Sequence, residues 1–558
     1  MAKPTRYTTA AIENYLQSGL WTITTLSDLW DRNAEAFPDQ EAMVDSTHRI
    51  TWSQGKQMMD RLAAGIVALG VERDRVMVIQ LPNCIQLFML RVACEKAGVL
   101  SLHVLMTLRR KEMAYILKYC DAAAVAVPTS YRNFDYTGMI NDLRCDLPAL
   151  KHVLVQGNTI PAGSISIEKM LSQPVKADGV LKDLHKRRYG SAEVSVITLT
   201  SGTTGVPKFV EFPFGARRSL ATTLATVFKL THNDILGVFG PAPAGPNCVP
   251  FFGAPEVRAK VVLQQHFDPG QCLRLIEKER ITVGFVVPAQ LAMLLNHPDI
   301  RRYDCSSMRL WWCVGAPVPY QIRMDTEKKI GGIVLTGIGA ADFGGTTATL
   351  MDDPPAARFF TVGKPRGGTE VKIVDDDGRE VTPGEVGELW GRGPATSSGY
   401  YKDPEATWKA WTRDGWFKMG DLCKFDPNEN LLVMGRKKDM IIRGGQNIYP
   451  PEIEDLLVSH PSVRDAAVVG MPDPILGERP CAYIVFRAAQ TVTFEEIIAF
   501  LEEKGIASYK LPERIEIVKE LPLLGEQKVN KRLLVQDIDA KLRGRTGLPQ
   551  IPATSGTN

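Results

Sequence analysis

Val194-Ser-Val-Ile-Thr-Leu-Thr200 is an apolar run that ends in a hydroxyl, and Ser201-Gly-Thr-Thr-Gly-Val-Pro-Lys208 follows it without a gap. The run predicts a buried strand. Glycines in the following segment let backbone N–H groups approach an anion, while the clustered hydroxyls and one lysine supply donors and charge. A strand that opens into such a loop suits a sheet with a phosphate-sized anion site at one end. The loop is not of the Walker type, G-x-x-x-x-G-K followed by Ser or Thr. Counted from Gly202, Pro207 stands where the second glycine belongs and Phe209 where the magnesium hydroxyl belongs. Taken alone, the segment also fits a plain polar turn between a strand and a helix.

Elsewhere the pattern is helix–strand alternation. Leu26, Leu29, Trp30 and Ala34 recur at helical spacing, and Val76-Met-Val-Ile79, Val153-Leu-Val155 and Val261-Val-Leu263 read as buried strands. Such alternation predicts layered α/β architecture. The texture changes from Gly363, where Glu370-Val-Lys-Ile-Val374 alternates like a strand and Asp375-Asp-Asp-Gly378 turns into the next segment. Pro383, Gly384, Gly387, Gly391 and Gly393 then punctuate short strands, predicting a β subdomain over residues 363–437. After Arg436-Lys-Lys-Asp439 a last piece shows strands and helices again, with Ile497, Ile498 and Leu501 on one helical face, and a polar tail over 546–558.

Composition removes several classes of function. The 558 residues suit three or four domain-sized pieces, and 44% hydrophobic with 23% charged residues is globular composition. With 66 basic against 63 acidic residues, no bulk field attracts nucleic acid or an anionic membrane. The ten cysteines include no C-x-x-C pair, the eight histidines no H-x-x-x-H, and no G-x-S-x-G elbow occurs. The start lacks the apolar core of a secretory signal, and the most apolar stretch, Val283 to Leu295, is broken by Pro288. The expectation is a soluble cytoplasmic protein with no stable membrane insertion, a monomer or a homodimer.

The strand and loop resemble the signature of the adenylate-forming enzymes, which comprise acyl- and aryl-CoA synthetases, adenylation domains and luciferases. Thr200, Ser201, Gly202, Thr203, Thr204, Gly205 and Lys208 match that signature, and Phe209 replaces its usual final glycine. Further motifs follow in the family's order over residues 20 to 540. The resemblance implies a large N-terminal AMP-binding domain over 1–437, built of α/β layers plus the β subdomain. It also implies a small mobile α+β C-terminal domain over 438–545, with Lys438 as the hinge. ATP, Mg²⁺ and CoA are the implied cofactors.

Site roles follow the same resemblance. Gly315-Ala316-Pro317, with Gly337 and Ile338, corresponds to the adenine pocket. Asp342 stands where a glutamate usually helps to hold Mg²⁺, together with Thr204, and Ala341 stands where the family has a hydroxyl. Asp421 and Arg436 correspond to the ribose-binding acid and base, and Arg443, Gly444, Gly445 and Gln446 to the wall of the pantetheine tunnel. Lys528 keeps the place of the lysine that bridges carboxylate and α-phosphate during adenylation, although Leu524 and Gln527 depart from the surrounding pattern.

For the acyl pocket the resemblance points to Ala244, Gly245, Pro246 and Asn247, with Gly339. The stretch Pro241 to Cys248 contains no acid to hold an α-amino group, which argues against an amino-acid substrate. Gly245 replaces a side chain that packs on the acyl group in relatives, so the expected substrate is a cyclic acid, alicyclic or aromatic. Tyr131 to Tyr136 and Leu147 to Lys151 resemble the dihydroxybenzoate-AMP ligases and the cyclohexanecarboxylate- and benzoate-CoA ligases. Three readings stay open: an acyl-CoA synthetase, an aryl-acid AMP ligase that loads a carrier protein, and a degenerate nucleotide-binding non-enzyme.

Overall fold

Val76-Met-Val-Ile79 is buried at every position, as a strand covered on both faces must be. In the computed structural model, which describes residues 6–173, 183–200, 207–241, 248–487, 492–524 and 528–544, it is a central strand of an eight-stranded sheet. The adjacency order is Gly399–Tyr400, Phe209–Pro213, Val194–Leu199, Leu100–His103, Val76–Ile79, Ala124–Pro128, His152–Gln156 and Ile165–Ser166. Pairing is parallel from Val194–Leu199 onward and antiparallel across the two strands before it.

A second sheet of seven strands is ordered Ile333–Leu335, Leu310–Cys313, Val283–Val286, Ile235–Val238, Lys260–Leu263, Glu41–Val44 and Arg49–Thr51. Between the two sheets runs the helix Ile85–Ala97, every residue of which is buried. Leu87, Phe88 and Leu90 from this helix join one core with Met77 and Ile79 of the first sheet and Val261 and Leu263 of the second. Gly98 ends it in the left-handed region at φ 68°, a stop that suits glycine. The expected helix around Leu29 spans Leu26–Ala36, started by Thr25, whose hydroxyl and backbone N–H close a reciprocal pair with Asp28.

The chain divides into two compact units. The first takes residues up to Val318, Ile322–Val371 and Gly391–Lys418, and so contains both large sheets. The second takes Pro319–Gln321, Lys372–Trp390 and residues from Met419 onward. The last division between the units falls between Lys418 and Met419, ahead of Lys438, where the family resemblance puts the hinge.

The expected strands after Gly363 form a four-stranded sheet ordered Glu370–Val374, Gly387–Arg392, Phe417–Phe425 and Leu431–Arg436. The second unit's other sheet is ordered Gln446–Ile448, Ile441–Arg443, Gly477–Phe486 and Val463–Asp473, with Arg514–Ile517 parallel to Gly477–Phe486. Alternate residues of its long strands serve opposite faces. Val468 and Ile484 meet Ile453, Leu457, Ile497 and Leu501 of the helices Pro450–Ser459 and Phe494–Glu503, whereas Val469, Tyr483 and Val485 meet Leu534 and Ile538 of Lys531–Leu542. This is the α+β arrangement expected of the C-terminal region. No described helix is long and apolar enough to cross a membrane.

Candidate active site

The anion loop begins and ends on one antiparallel pair, not between a strand and a helix. Val194–Leu199 pairs with Phe209–Pro213 in the register Leu199 with Phe209. The Thr200 N–H donates to the Lys208 carbonyl at 3.0 Å, and the Lys208 N–H donates to Thr200 Oγ1 at 3.2 Å. Ser201, Gly202, Thr203, Thr204 and Gly205 lie outside the described residues, but these two bonds pin the points where the loop leaves and returns. Phe209 is an ordinary strand residue whose buried ring stacks on Tyr119 at 4.5 Å, so this position takes a side chain here.

Lys208 is connected to Asp342 through one buried phenol. Its Nζ lies 3.4 Å from Tyr400 Oη and 4.5 Å from the centre of the Tyr400 ring. The Tyr400 hydroxyl donates to Asp342 Oδ2 at 2.7 Å. Burial first, then the Asp342 carboxylate, raises the Tyr400 pKa, so the phenol remains a neutral donor. Tyr400 is not among the site residues expected from the sequence. Its strand pairs with Phe209–Pro213, directly after the loop, a long-range contact that no local sequence pattern signals.

Asp342 sits on an excursion between the strands Ile333–Leu335 and Thr347–Ala348. Ile338 and Thr347 exchange bonds across its base: the Ile338 N–H donates to Thr347 Oγ1, and the Thr347 N–H to the Ile338 carbonyl, each at 3.1 Å. Gly337 is required at that base, because a Cβ there would stand 2.0 Å from the Thr347 carbonyl oxygen. Gly339 is exposed, and its missing Cβ would lie 2.9 Å from the Gly345 carbonyl. Ser397 Oγ donates to the Asp342 carbonyl at 2.6 Å and steadies the far side. Gly315, Ala316 and Pro317 form the turn directly after the strand Leu310–Cys313, with Gly315 at φ 100°. Ala244, Gly245, Pro246 and Asn247 lie outside the described residues.

In the second unit Asp421 and Arg436 are cross-strand partners in the pair Phe417–Phe425 and Leu431–Arg436. Arg436 Nε donates to Asp421 Oδ1 at 3.0 Å, and Asp421 is 6% exposed, so the carboxylate is oriented by its charge partner. Lys438 lies in the single turn Lys437–Asp439, and Lys437 beside it is paired with Asp376 and Glu388.

Gly444 and Gly445, at φ 56° and 83°, make the tight turn between Ile441–Arg443 and Gln446–Ile448. A Cβ at Gly445 would meet nothing within 4 Å, so the turn alone requires that glycine, whereas one at Gly444 would also stand 3.2 Å from Leu476 Cδ2. Arg443 is held by Glu513, which also pairs with Arg479. Lys528 is exposed on a short hairpin, its strand paired in the register Leu524 with Lys528, and Gln527 lies outside the described residues.

Known proteins extend this geometry. The chain matches the AMP-binding enzyme family over residues 30–401 and the AMP-binding enzyme C-terminal domain over residues 452–528. It is 32% identical over 535 residues to the medium-chain fatty-acid–CoA ligase of Escherichia coli (strain K12), covering 95% of this chain and 93% of that one. It is also 32% identical over 546 residues to the 2,3-dihydroxybenzoate-AMP ligase of Bacillus subtilis (strain 168), covering 95% and 96%. Among solved structures, the anthranilate CoA ligase AuaEII in complex with anthranoyl-AMP shares the fold with a TM-score of 0.84 at 24% identity, over 94% of this chain and 98% of that one. With a large α/β N-terminal domain and a small C-terminal one, this chain belongs to the AMP-binding, adenylate-forming enzymes of the acyl- and aryl-CoA ligase type.

Proposed function

We propose that the protein is an ATP-dependent, AMP-forming synthetase that activates a cyclic carboxylic acid, alicyclic or aromatic, and transfers it to CoA. The observation that carries this reading is the chain Lys208–Tyr400–Asp342, in which one phenol ties the lysine at the end of the phosphate loop to an acid. A triphosphate needs both a cation at its oxygens and a carboxylate to hold its metal. Mg²⁺ takes one or two protein carboxylates beside phosphate oxygens. Asp342 fits that donor set, because Tyr400 engages its Oδ2 and leaves Oδ1 to a cation. Bound there, the ion would neutralise charge on the triphosphate.

In the first half-reaction the substrate carboxylate attacks the α-phosphorus, forming acyl-adenylate and releasing pyrophosphate. Lys208 holds phosphate oxygens, and Asp421 accepts the ribose hydroxyl protons while Arg436 fixes its orientation. Lys528 carries a compact charge for the developing negative charge on carboxylate and α-phosphate. In the second half-reaction the small domain turns about Lys438, Lys528 withdraws, and the Gly444–Gly445 turn admits the pantetheine arm. Its thiol sulfur then attacks the acyl carbonyl and AMP leaves.

A second reading, an aryl-acid AMP ligase whose acceptor is a carrier-protein phosphopantetheine, is favoured by the similarity to the 2,3-dihydroxybenzoate-AMP ligase. One experiment separates the readings. The protein is incubated with ATP, Mg²⁺, CoA and a panel of linear, alicyclic, aromatic and hydroxyaromatic acids, and the products are weighed by mass spectrometry. Cyclic acyl-CoA with AMP is the expected result. Acyl-adenylate without thioester would transfer the case to the carrier-protein ligase, and neither product from ATP-binding protein would reject both.

A further inference from the structure

The first unit buries positive charge that none of its described residues neutralises. Arg91, on the helix Ile85–Ala97, is 8% exposed, with its guanidinium carbon 4.3 Å from the ring centre of Phe252 and 5.1 Å from that of Phe251. Phe88 stacks on the same Phe251 at 3.6 Å. Arg217, on the helix Phe214–Val227, is also 8% exposed and lies 3.5 Å over the Phe212 ring. Its Nη2 donates to Thr198 Oγ1 at 3.3 Å, while its Nε and the Nε and Nη2 of Arg91 are buried without an acceptor. His103, 6% exposed at the end of Leu100–His103, has neither ring nitrogen bonded and faces Phe251 at 6.0 Å.

Among the described residues no carboxylate pairs with either arginine. Buried arginines elsewhere in this unit are satisfied: Arg358 pairs with Glu327, and Arg323 donates to the carbonyls of Val318 and Arg358. Burial, with Arg217 beside it, brings the Arg91 pKa down to about 9, and burial brings Arg217 down to about 10. An unneutralised guanidinium in an aromatic surround opposes folding unless an anion arrives to meet it.

The cluster borders both proposed substrate segments in the chain. Thr198 stands just before Thr200, where the phosphate loop leaves the sheet, and Phe251 and Phe252 follow closely on Asn247, the end of the proposed acyl-pocket stretch. We propose that Arg91 and Arg217, with His103, form an anion subsite that receives a second carboxylate on the acid being activated, so that the substrate is a dicarboxylic acid with a cyclic body. This rests on the acid-activating function proposed above. One carboxylate goes to ATP, the ring lies against Phe251 and Phe252, and the other carboxylate enters the paired guanidiniums, whose planar donors suit it.

The test uses the full chain and matched acids: cyclohexanecarboxylate against cyclohexane-1,4-dicarboxylate, and benzoate against terephthalate. ATP–pyrophosphate exchange gives the diacid-to-monoacid ratio of kcat/KM for wild type, Arg91→Met and Arg217→Met. Wild type should favour the diacid, and each variant should lower the ratio by about 100-fold, the scale of removing one partner from a buried charge pair.

Thermal unfolding supplies an independent readout. Without ligand each methionine variant should melt at or above wild type, because it loses an unpaired buried charge. Diacid alone should raise the melting point of wild type only, and ATP should raise all three equally. Exchange that favours monoacids in wild type would overturn this inference and leave the acid-activating function standing. Variants that melt lower would make the arginines structural, and variants that lose the ATP shift would assign the site to phosphate; either overturns the proposal. If no acid supports exchange, the acid-activating function falls, and the melting shift with diacid alone decides the subsite.

Discussion

Tyr400 donates to Asp342 and touches Lys208, so its hydroxyl orients two groups proposed to act on the triphosphate. Tyr400→Phe keeps the buried ring and removes only that hydroxyl. A hydrogen bond to a charged group contributes about 1.5–3 kcal/mol, so kcat/KM for ATP should fall roughly 10-fold or more, with a higher half-saturating Mg²⁺ concentration and an unchanged circular dichroism spectrum. Because burial and Asp342 raise the phenol pKa, Tyr400 stays protonated at working pH, and the variant's pH–rate profile should keep its shape. A displaced alkaline limb would mean that the tyrosine titrates. His103 gives the opposite kind of pH dependence. Burial and the nearby Arg91 hold its pKa well below the ordinary value, so the folded protein keeps it neutral. The unfolded chain takes up that proton near pH ~6.5, so stability is lost as pH falls below it, by about 1.4 kcal/mol per unit, until the folded pKa is reached. Denaturant melts between about pH 7.5 and about pH 5.5 should therefore show a smaller acid loss for His103→Phe than for wild type. Equal losses would show that the imidazole is not held neutral by the fold.

At the scale of elements, the glycines of the proposed site fall into two groups. A Cβ on Gly337 meets a backbone carbonyl at 2.0 Å, whereas Gly445, at φ 83°, has no neighbour within 4 Å of where a Cβ would stand. Gly337→Ala must push the base of the Asp342 excursion apart and should cost about 3 kcal/mol, with a parallel loss of adenylation. Gly445→Ala carries only the left-handed backbone cost, about 1 kcal/mol, and should slow thioester formation more than adenylation. Chemical denaturation and separate assays of the two half-reactions check both. Much of this layout was legible beforehand, because Val76–Ile79, Val194–Leu199 and Glu370–Val374 announce themselves through local apolar patterns and all three are strands. Asp421 and Arg436 were legible from motif order, and they emerge as one cross-strand pair. The link through Tyr400 was not, since it joins positions 58 and 192 residues away, and no local pattern encodes such a contact. Arg91 could have been noticed as a lone charge within the run Ile85 to Cys94, but only the packing of Phe251 and Phe252 shows that it stays buried.

For the whole molecule, the residues proposed to act are divided between two compact units. The phosphate-loop lysine and Asp342 belong to the first, while Asp421, Arg436, the Gly444–Gly445 turn and Lys528 belong to the second. If the backbone turns at Lys438, as proposed, Lys528, which follows it in the chain, can serve one half-reaction and leave before the other. Lys528 suits that service, being an exposed lysine on a short hairpin near the end of the described chain. If it stabilises only the first transition state, Lys528→Ala should slow adenylate formation by roughly 10²- to 10³-fold, the scale of removing one preorganised charge donor. Thioester formation from supplied acyl-adenylate should be far less affected. Pyrophosphate release measures the first step, and acyl-CoA formation from synthetic adenylate measures the second. A turn about Lys438 adds its own signature, because Lys438→Pro fixes one backbone angle and removes an N–H without touching the phosphate loop. That variant should retain adenylation and lose thioester formation, the reverse of Lys528→Ala. Equal damage to both half-reactions by either variant would overturn the proposed turn about Lys438.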